Sequence, residues 1–342
     1  MNRILLASLL FVPGLAAASP WVLQPGDWVL AGRYDYQIAT TEFLDEPEAV
    51  PFSLRGRYTA STYAIGARAG LAPGLEIALE IPLVQVTYTA DPVIPLPHEG
   101  PPDEALDYYQ ENIIDLSTSR TGLGDIRVGA RYQLTGGAFA SALGLQLKTP
   151  TGYDPPAGTF GDRPKSREDL LADIRRFVAP ENVRDDVTLG DGQVDLTGRL
   201  LLGWAMASRT FVRLDAGYVL RLGGAGDQVE GALRVGQLIG RRLLIFAGAE
   251  AAIAIQDGEV IGVSVAAEDP TLPAADYFLT DNLLLREVRL DHDRISLPVG
   301  AIIRLAPPVE LNVAYSPIIW GRNIARVHTV SLGVAVKGGF FD

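Results

Sequence analysis

Cysteine is absent from all 342 residues. That excludes disulfides, thiolate metal sites and a lipid anchor on an N-terminal cysteine. Histidine is nearly absent too: His98, His292 and His328 are the only three, which leaves little for imidazole chemistry. Beyond the N-terminus no run of 18 apolar residues occurs. The best candidate, Leu243 to Ile255, is interrupted by Glu250, so no segment reads as a membrane-spanning helix. There is no GxSxG, no HExxH, no P-loop and no dinucleotide fingerprint. Gly122-Leu123-Gly124 opens a strand pattern, not a helix, and cradles no phosphate. A net charge of −12 argues against nucleic acid as a partner.

What is present begins with an export signature. Arg3 supplies a basic start, Ile4 to Leu15 an apolar stretch too short to span a bilayer, and Ala16-Ala17-Ala18 a small-residue cleavage site. Residues 1–18 therefore read as a signal peptide and 19–342 as a single mature domain. The 36 glycines and 23 prolines fit many short strands joined by turns.

The dominant signal is strict alternation. Leu75, Ile77, Leu79, Ile81 and Leu83 alternate with Glu76, Ala78, Glu80 and Pro82. Ile126, Val128, Ala130, Tyr132 and Leu134 alternate with Asp125, Arg127, Gly129, Arg131 and Gln133. A period of two puts each set on its own face of a strand. Ten more segments follow the pattern, near 28–38, 58–71, 139–147, 194–204, 212–220, 229–235, 243–255, 295–305, 309–315 and 330–336. Connections after every second strand are tight, as at Ala72-Pro73-Gly74 and Ala306-Pro307-Pro308, whereas those between are generally longer, as at 89–121, 149–191 and 257–287. A soluble sandwich alternates as well, but has no reason to sort its loops by parity. The expected fold is all-β: a transmembrane, antiparallel, up-and-down barrel of about twelve strands, with short periplasmic turns and long extracellular loops, in the outer membrane. Trp28, Tyr132, Trp204 and Tyr315 fall on its apolar face near strand ends, where interface girdles belong. Within the long loops, helical spacing marks 167–178 and 103–116.

The polar parity carries the candidate site. It places Arg33, Asp35, Glu76, Glu80, Asp125, Arg127 and Arg131 inside the barrel, followed by Asp195, Arg199, Arg213, Asp215, Arg234, Glu250, Arg304 and Glu310. Lys148, Arg221, Glu230, Arg294 and Lys337 join them. The signs are interleaved, unlike the single-charge rings of a strongly ion-selective pore. Twelve strands lie between barrels filled by side chains and barrels with open channels. Small inward residues such as Gly129, Gly144, Gly217, Gly248 and Gly300 favour a narrow pore over a plugged barrel. The expected function is passive passage of small solutes through a charge-lined lumen constricted by extracellular loops. The alternative is a closed structural or recognition barrel whose acidic loops bind a surface partner or divalent cations. No catalysis, cofactor or metal is expected. His328 lies on the lipid-facing parity whereas Ser316 on the neighbouring strand points inward, and alternation separates His292 from Asp291 and Asp293.

Three segments resemble a known family. Gly122 to Leu134, the strand exit Lys148-Thr149-Pro150-Thr151-Gly152 and the strand entry Gly190 to Leu196 are similar, in that order, to the outer-membrane family named for the meta-pathway of phenol degradation. The resemblance covers roughly 122–256 and implies an outer-membrane barrel passing small, often aromatic or apolar, molecules. It brings no catalytic residue. Expected partners are outer-membrane lipid, a small-molecule solute and the barrel assembly machinery, although Phe340-Phe341 is followed by Asp342 where many barrels end on an aromatic. Epitope tags placed in 89–121, 149–191 or 257–287 should label on intact cells and tags at 72–74 or 306–308 should not; labelling at the short turns would overturn the orientation.

Overall fold

The computed structural model describes residues 19–44, 48–92, 100–111, 113, 115, 117–151, 189–267, 269 and 283–339. The expected signal peptide at 1–18, the helical segment at 167–178 and the terminal Phe340-Phe341-Asp342 lie outside the described residues.

Twelve strands form the wall: β1 (Asp27–Ala39), β2 (Arg57–Ala72), β3 (Leu75–Thr89), β4 (Thr118–Leu123 and Ile126–Thr135), β5 (Phe139–Thr149) and β6 (Val194–Ala205). Then follow β7 (Thr210–Leu222), β8 (Gln228–Ile239), β9 (Leu243–Ala254), β10 (Asp293–Ser296 and Val299–Ala306), β11 (Val309–Arg322) and β12 (His328–Gly339). Each pairs antiparallel with the next in sequence. The ring closes where β1 meets β12, from Asp27↔Gly339 to Ile38↔His328. Closure leaves no open edge, so wall N–H and C=O groups find partners without water, as lipid demands.

Alternation then assigns the faces. Ile65, Ile77, Leu79, Leu143, Leu145, Leu214, Leu233 and Leu332 are exposed on the outside, whereas Glu76, Glu80, Arg68 and Arg213 are buried inside. A soluble protein would invert this arrangement, and an apolar belt of such extent belongs in a bilayer. Tyr132, Trp204 and Phe139 crowd the outer face beside the short turns. At those turns Gly74 and Gly240 take positive φ of 78° and 61°, conformations in which a Cβ would be strained.

The structure adds details that alternation misses. β4 begins earlier than its alternation indicates, and Gly124 and Asp125 are both buried where its two segments join and the inward parity switches. β10 is interrupted at Leu297-Pro298: proline has no N–H for the ladder, but its carbonyl accepts from Gly248 N at 2.9 Å. The connections read as loops contain ordered pieces. Thr41–Phe43, Ala49–Pro51 and Ile324–Ala325 make a small sheet at the long-loop end, and Val260–Ala267 pairs with Leu283–Arg289; Ala105–Glu111 is a helix within 103–116, where the spacing predicts one.

Leu79→Arg should destabilise the barrel by about 2–4 kcal/mol, the cost of a cation at mid-membrane on the lipid face, measured by equilibrium unfolding from lipid vesicles. An unchanged unfolding free energy would place Leu79 off the lipid face.

Candidate functional site

Many of the residues assigned to the polar parity meet in ion pairs, which fall into groups along the barrel. Toward the short turns much of the lining is apolar: Val29, Ala31, Ala140, Phe211, Leu244, Phe246, Ile302, Ala314 and Ala335 are all buried together. Into this ring folds the segment before β1, with Ser19, Trp21, Val22 and Leu23 buried. Trp21 Nε1 donates to Gly137 O at 3.1 Å, Gln133 Nε2 to Pro20 O at 3.0 Å, Arg131 Nη1 to Ser19 O at 3.4 Å, and Leu23 N to Glu76 Oε2 at 2.9 Å. A Cβ on Gly203 would collide with Pro20 and Trp21, and one on Gly70 with Gln24 O. These wall glycines make room for the segment.

Above the apolar ring lies a tier of ion pairs. Glu76 is fully buried between Arg68 of β2, whose Nε lies 2.5 Å from Oε1, and Arg131 of β4. Glu80 is shared by Arg127 at 2.8 Å and Arg33 at 3.4 Å, and Arg33 also holds Asp35 at 2.7 Å. On the opposite wall Arg213 pairs with Asp215 at 2.8 Å, Arg199 with Glu230 at 2.6 Å, and Arg234 with Glu250 while lying 5.9 Å from the Phe246 ring centroid. Glu310 is held by Lys337 at 2.9 Å and Arg304 at 3.5 Å, and this group lies level with the apolar ring, beside Ala335 and nearer the short turn than Ala314. Register explains much of this, since Glu76↔Arg131, Glu80↔Arg127 and Arg304↔Glu310 are directly opposed across neighbouring strands.

Toward the long-loop end, Lys148 is surrounded by Asp125 at 3.6 Å, Asp191 at 2.6 Å and Asp195 at 2.6 Å, and Arg221 bridges Asp191 and Asp195. Asp191 belongs to the chain entering β6, which bends into the lumen and packs Leu189 against Ala60 and Val86. Burial works against the Asp191 carboxylate, but Lys148 and Arg221 outweigh it and hold its pKa below the usual carboxylate range. Burial, with Arg294 and Arg221 nearby, pushes the His292 imidazole down to about 4. It is therefore neutral at physiological pH and charges only as pH falls through that value.

Alternation missed three parts of this lining. Arg68 lies on the even, inward parity of β2, but its companions Ala60, Ala64 and Gly66 are too small to mark that face as polar. Asp191 lies in a connection with no period to read. The segment 19–26 is too short and irregular to signal its place. Sequence reading also took the small inward residues as free space, and for several the structure shows otherwise. The stem of Arg199 covers Gly217 and that of Arg234 covers Gly248, each with its Cγ 2.8 Å from where a Cβ would stand.

Other chemistry has a poor geometric basis. His328 faces outward, its Nδ1 2.6 Å from Tyr315 Oη, with the rings stacked. Asp291 and Asp293 are paired with Arg322 at 3.0 and 2.8 Å, and no metal-binding cluster occurs among the described residues.

No protein-family model matches the chain, and neither does any curated protein. Among solved structures, an outer-membrane channel from Pseudomonas putida F1 matches at a TM-score of 0.58 with 11% identity, over 96% of this chain and 100% of that one. The NanC porin matches at 0.45 with 7% identity, over 90% and 98%. The CymD monoaromatic hydrocarbon channel matches at 0.41 with 10% identity, over 93% and 89%. The protein thus has the transmembrane β-barrel fold of the outer-membrane type.

Glu76→Gln should cost about 3–5 kcal/mol in vesicle-reconstituted unfolding, because it strands two buried guanidiniums. Arg55→Gln, which removes the solvent-exposed pair with Asp91, should leave the transition unchanged. Equal, small effects would mean that the Glu76 tier is hydrated.

Proposed function

We propose that the protein is a passive outer-membrane channel for small solutes whose periplasmic mouth is closed by its own N-terminal segment. One observation carries this reading: wetness changes along the lumen. Arg127 and Glu250 side chains are each 37% exposed in the middle tier, whereas the apolar ring and Trp21 below are sealed. A barrel serving only as a scaffold has no need of a hydrated, two-signed interior ending at a non-covalent stopper. The stopper is a short segment held by hydrogen bonds to the wall and by burial of Trp21 and Leu23 in the apolar ring, so its displacement is a local opening of the fold. The fold shared with a Pseudomonas putida outer-membrane channel agrees with this reading. So does the resemblance of 122–256 to the phenol meta-pathway family, which favours small aromatic or apolar solutes. The charged lining at Arg33, Asp35, Glu80, Arg127, Arg199 and Glu250 would form the aqueous path.

A second reading, a closed structural barrel, draws on the near-complete burial of Arg68, Glu76 and Arg213. One experiment separates the two. Deleting residues 19–24 from the mature chain should raise single-channel conductance in planar bilayers at least several-fold while the heat-modifiable barrel band persists on gels. A folded deletion that conducts no better than the intact chain removes the segment from the permeation path, and silence in both supports the closed barrel.

A further inference from the structure

The inward glycines are not equivalent. Around Gly217 and Gly248 arginine stems fill the space a side chain would need, but at Gly129 and Gly144 the wall is open. A Cβ on Gly144 would meet nothing nearer than Arg131 Cγ at 3.7 Å, and one on Gly129 only Leu145 O at 3.4 Å and Gln146 Cβ at 4.0 Å. These are ordinary contacts. The two glycines sit side by side in the ladder, because Gly129 pairs with Gln146 and Gly144 with Arg131 on β4 and β5. Together they leave an alcove in the lumenal wall, with Ala78 and Thr197 completing its sides and Arg127, Arg131 and Arg199 at its borders.

The alcove is rich in donors. Arg127 gives Nη1 to Glu80 at 2.8 Å and its side chain is otherwise partly exposed. Arg199 gives Nη1 to Gln146 Oε1 at 3.3 Å and Nη2 to Glu230 at 2.6 Å, which leaves Nε. Gln146 uses its carbonyl for Arg199, so its amide N–H groups remain, and the Thr197 hydroxyl pairs with no described residue. The acceptors nearby are spent: Glu80 serves two arginines and Glu76 two more. The donors left over at Arg127, Arg199, Gln146 and Thr197 converge on one small space, which suits a single carboxylate group. The walls at Ala78, Gly129 and Gly144 offer only carbon and strand backbone to the rest of a ligand.

We infer that this alcove is a binding site for a small carboxylate with a flat apolar body. The carboxylate lies between Arg127 and Arg199, and the body rests on the glycine floor. The inference rests on the channel reading for how a solute reaches the alcove, but not for whether it binds there.

Binding is therefore measured without conductance, by titrating sodium benzoate and its neutral analogue benzamide into the detergent-solubilised full barrel, using calorimetry and ligand-observed NMR. Benzoate should bind saturably and at least tenfold more tightly than benzamide, as expected for a charge-assisted site. Arg127→Gln and Arg199→Gln should each weaken benzoate about tenfold with little effect on benzamide. Gly144→Leu, which fills the floor, should weaken both. Because Glu80 keeps Arg33 in Arg127→Gln, that variant decides the matter should Arg199→Gln lose its heat-modifiable band. No benzoate binding, equal affinity for both compounds, or benzoate binding untouched by Arg127→Gln and Gly144→Leu would each overturn the site. Benzoate binding by a barrel that conducts nothing would overturn the channel reading and leave the site standing.

Discussion

The structure depends on one constraint: a sheet in lipid must have no edge. Pairing β1 with β12 over Asp27↔Gly339 to Ile38↔His328 satisfies it, and nearly everything else follows from that closure. With the ring shut, each strand has one face toward lipid and one toward the lumen, and charge has a single place to go. Leu79 and Glu80 are adjacent in sequence, yet one is exposed to the bilayer and the other is 2% exposed inside. Twelve strands enclose too little volume for that much charge to remain separately hydrated. The ionic groups therefore neutralise one another along the wall.

How they do so is specific. Among the described residues the wall-to-wall ion pairs link strands no more than two apart: Arg68 with Glu76, Arg131 with Glu76, Arg127 with Glu80, Arg304 and Lys337 with Glu310. Where a pair reaches over an intervening strand, as Arg199 does to Glu230 across β7, the strand beneath supplies Gly217 for the arginine stem to lie on. The pairs stitch the wall and do not bridge the opening. Buried pairs of this kind are weak evidence for extra stability, but they keep an ionic lining compact and out of the axis.

Much of this was legible from residues alone because period two is a strong code. The twelve strands and their closure into an antiparallel barrel followed from alternation of Leu, Ile and Val with Glu, Asp and Arg. What stayed hidden lacked periodicity or contrast. Arg68 sits among Ala64, Gly66 and Gly70 on its face of β2, neighbours too small to mark that face as polar. Asp191 and Leu189 reach the lumen from a connection whose course only tertiary contacts fix. The segment 19–26 has no period to read, yet its Trp21 and Leu23 complete the apolar ring. A glycine in sequence says that no side chain is present; whether the vacated space is free depends on neighbours, and Gly217 and Gly144 answer oppositely.

The two kinds of lumenal contact have different consequences for function. Ion pairs within the wall maintain the shape of the barrel whether or not anything occupies its axis. Contacts that cross the axis at the short-turn end are made by the segment 19–24, through the carbonyls of Ser19 and Pro20, the Leu23 N–H and the Trp21 ring. Removing that segment exposes an apolar ring but breaks no ion pair, since Glu76 keeps Arg68 and Arg131 when Leu23 N departs. The exposed ring of Val29, Phe211, Leu244, Phe246 and Ile302 would then form an apolar collar at the short-turn end of the lumen, flanked by the Glu310 pairs of β10 to β12. Among the described residues no ion pair of the wall involves the segment, so the wall would keep its shape, and what the segment controls is whether that end of the lumen is filled.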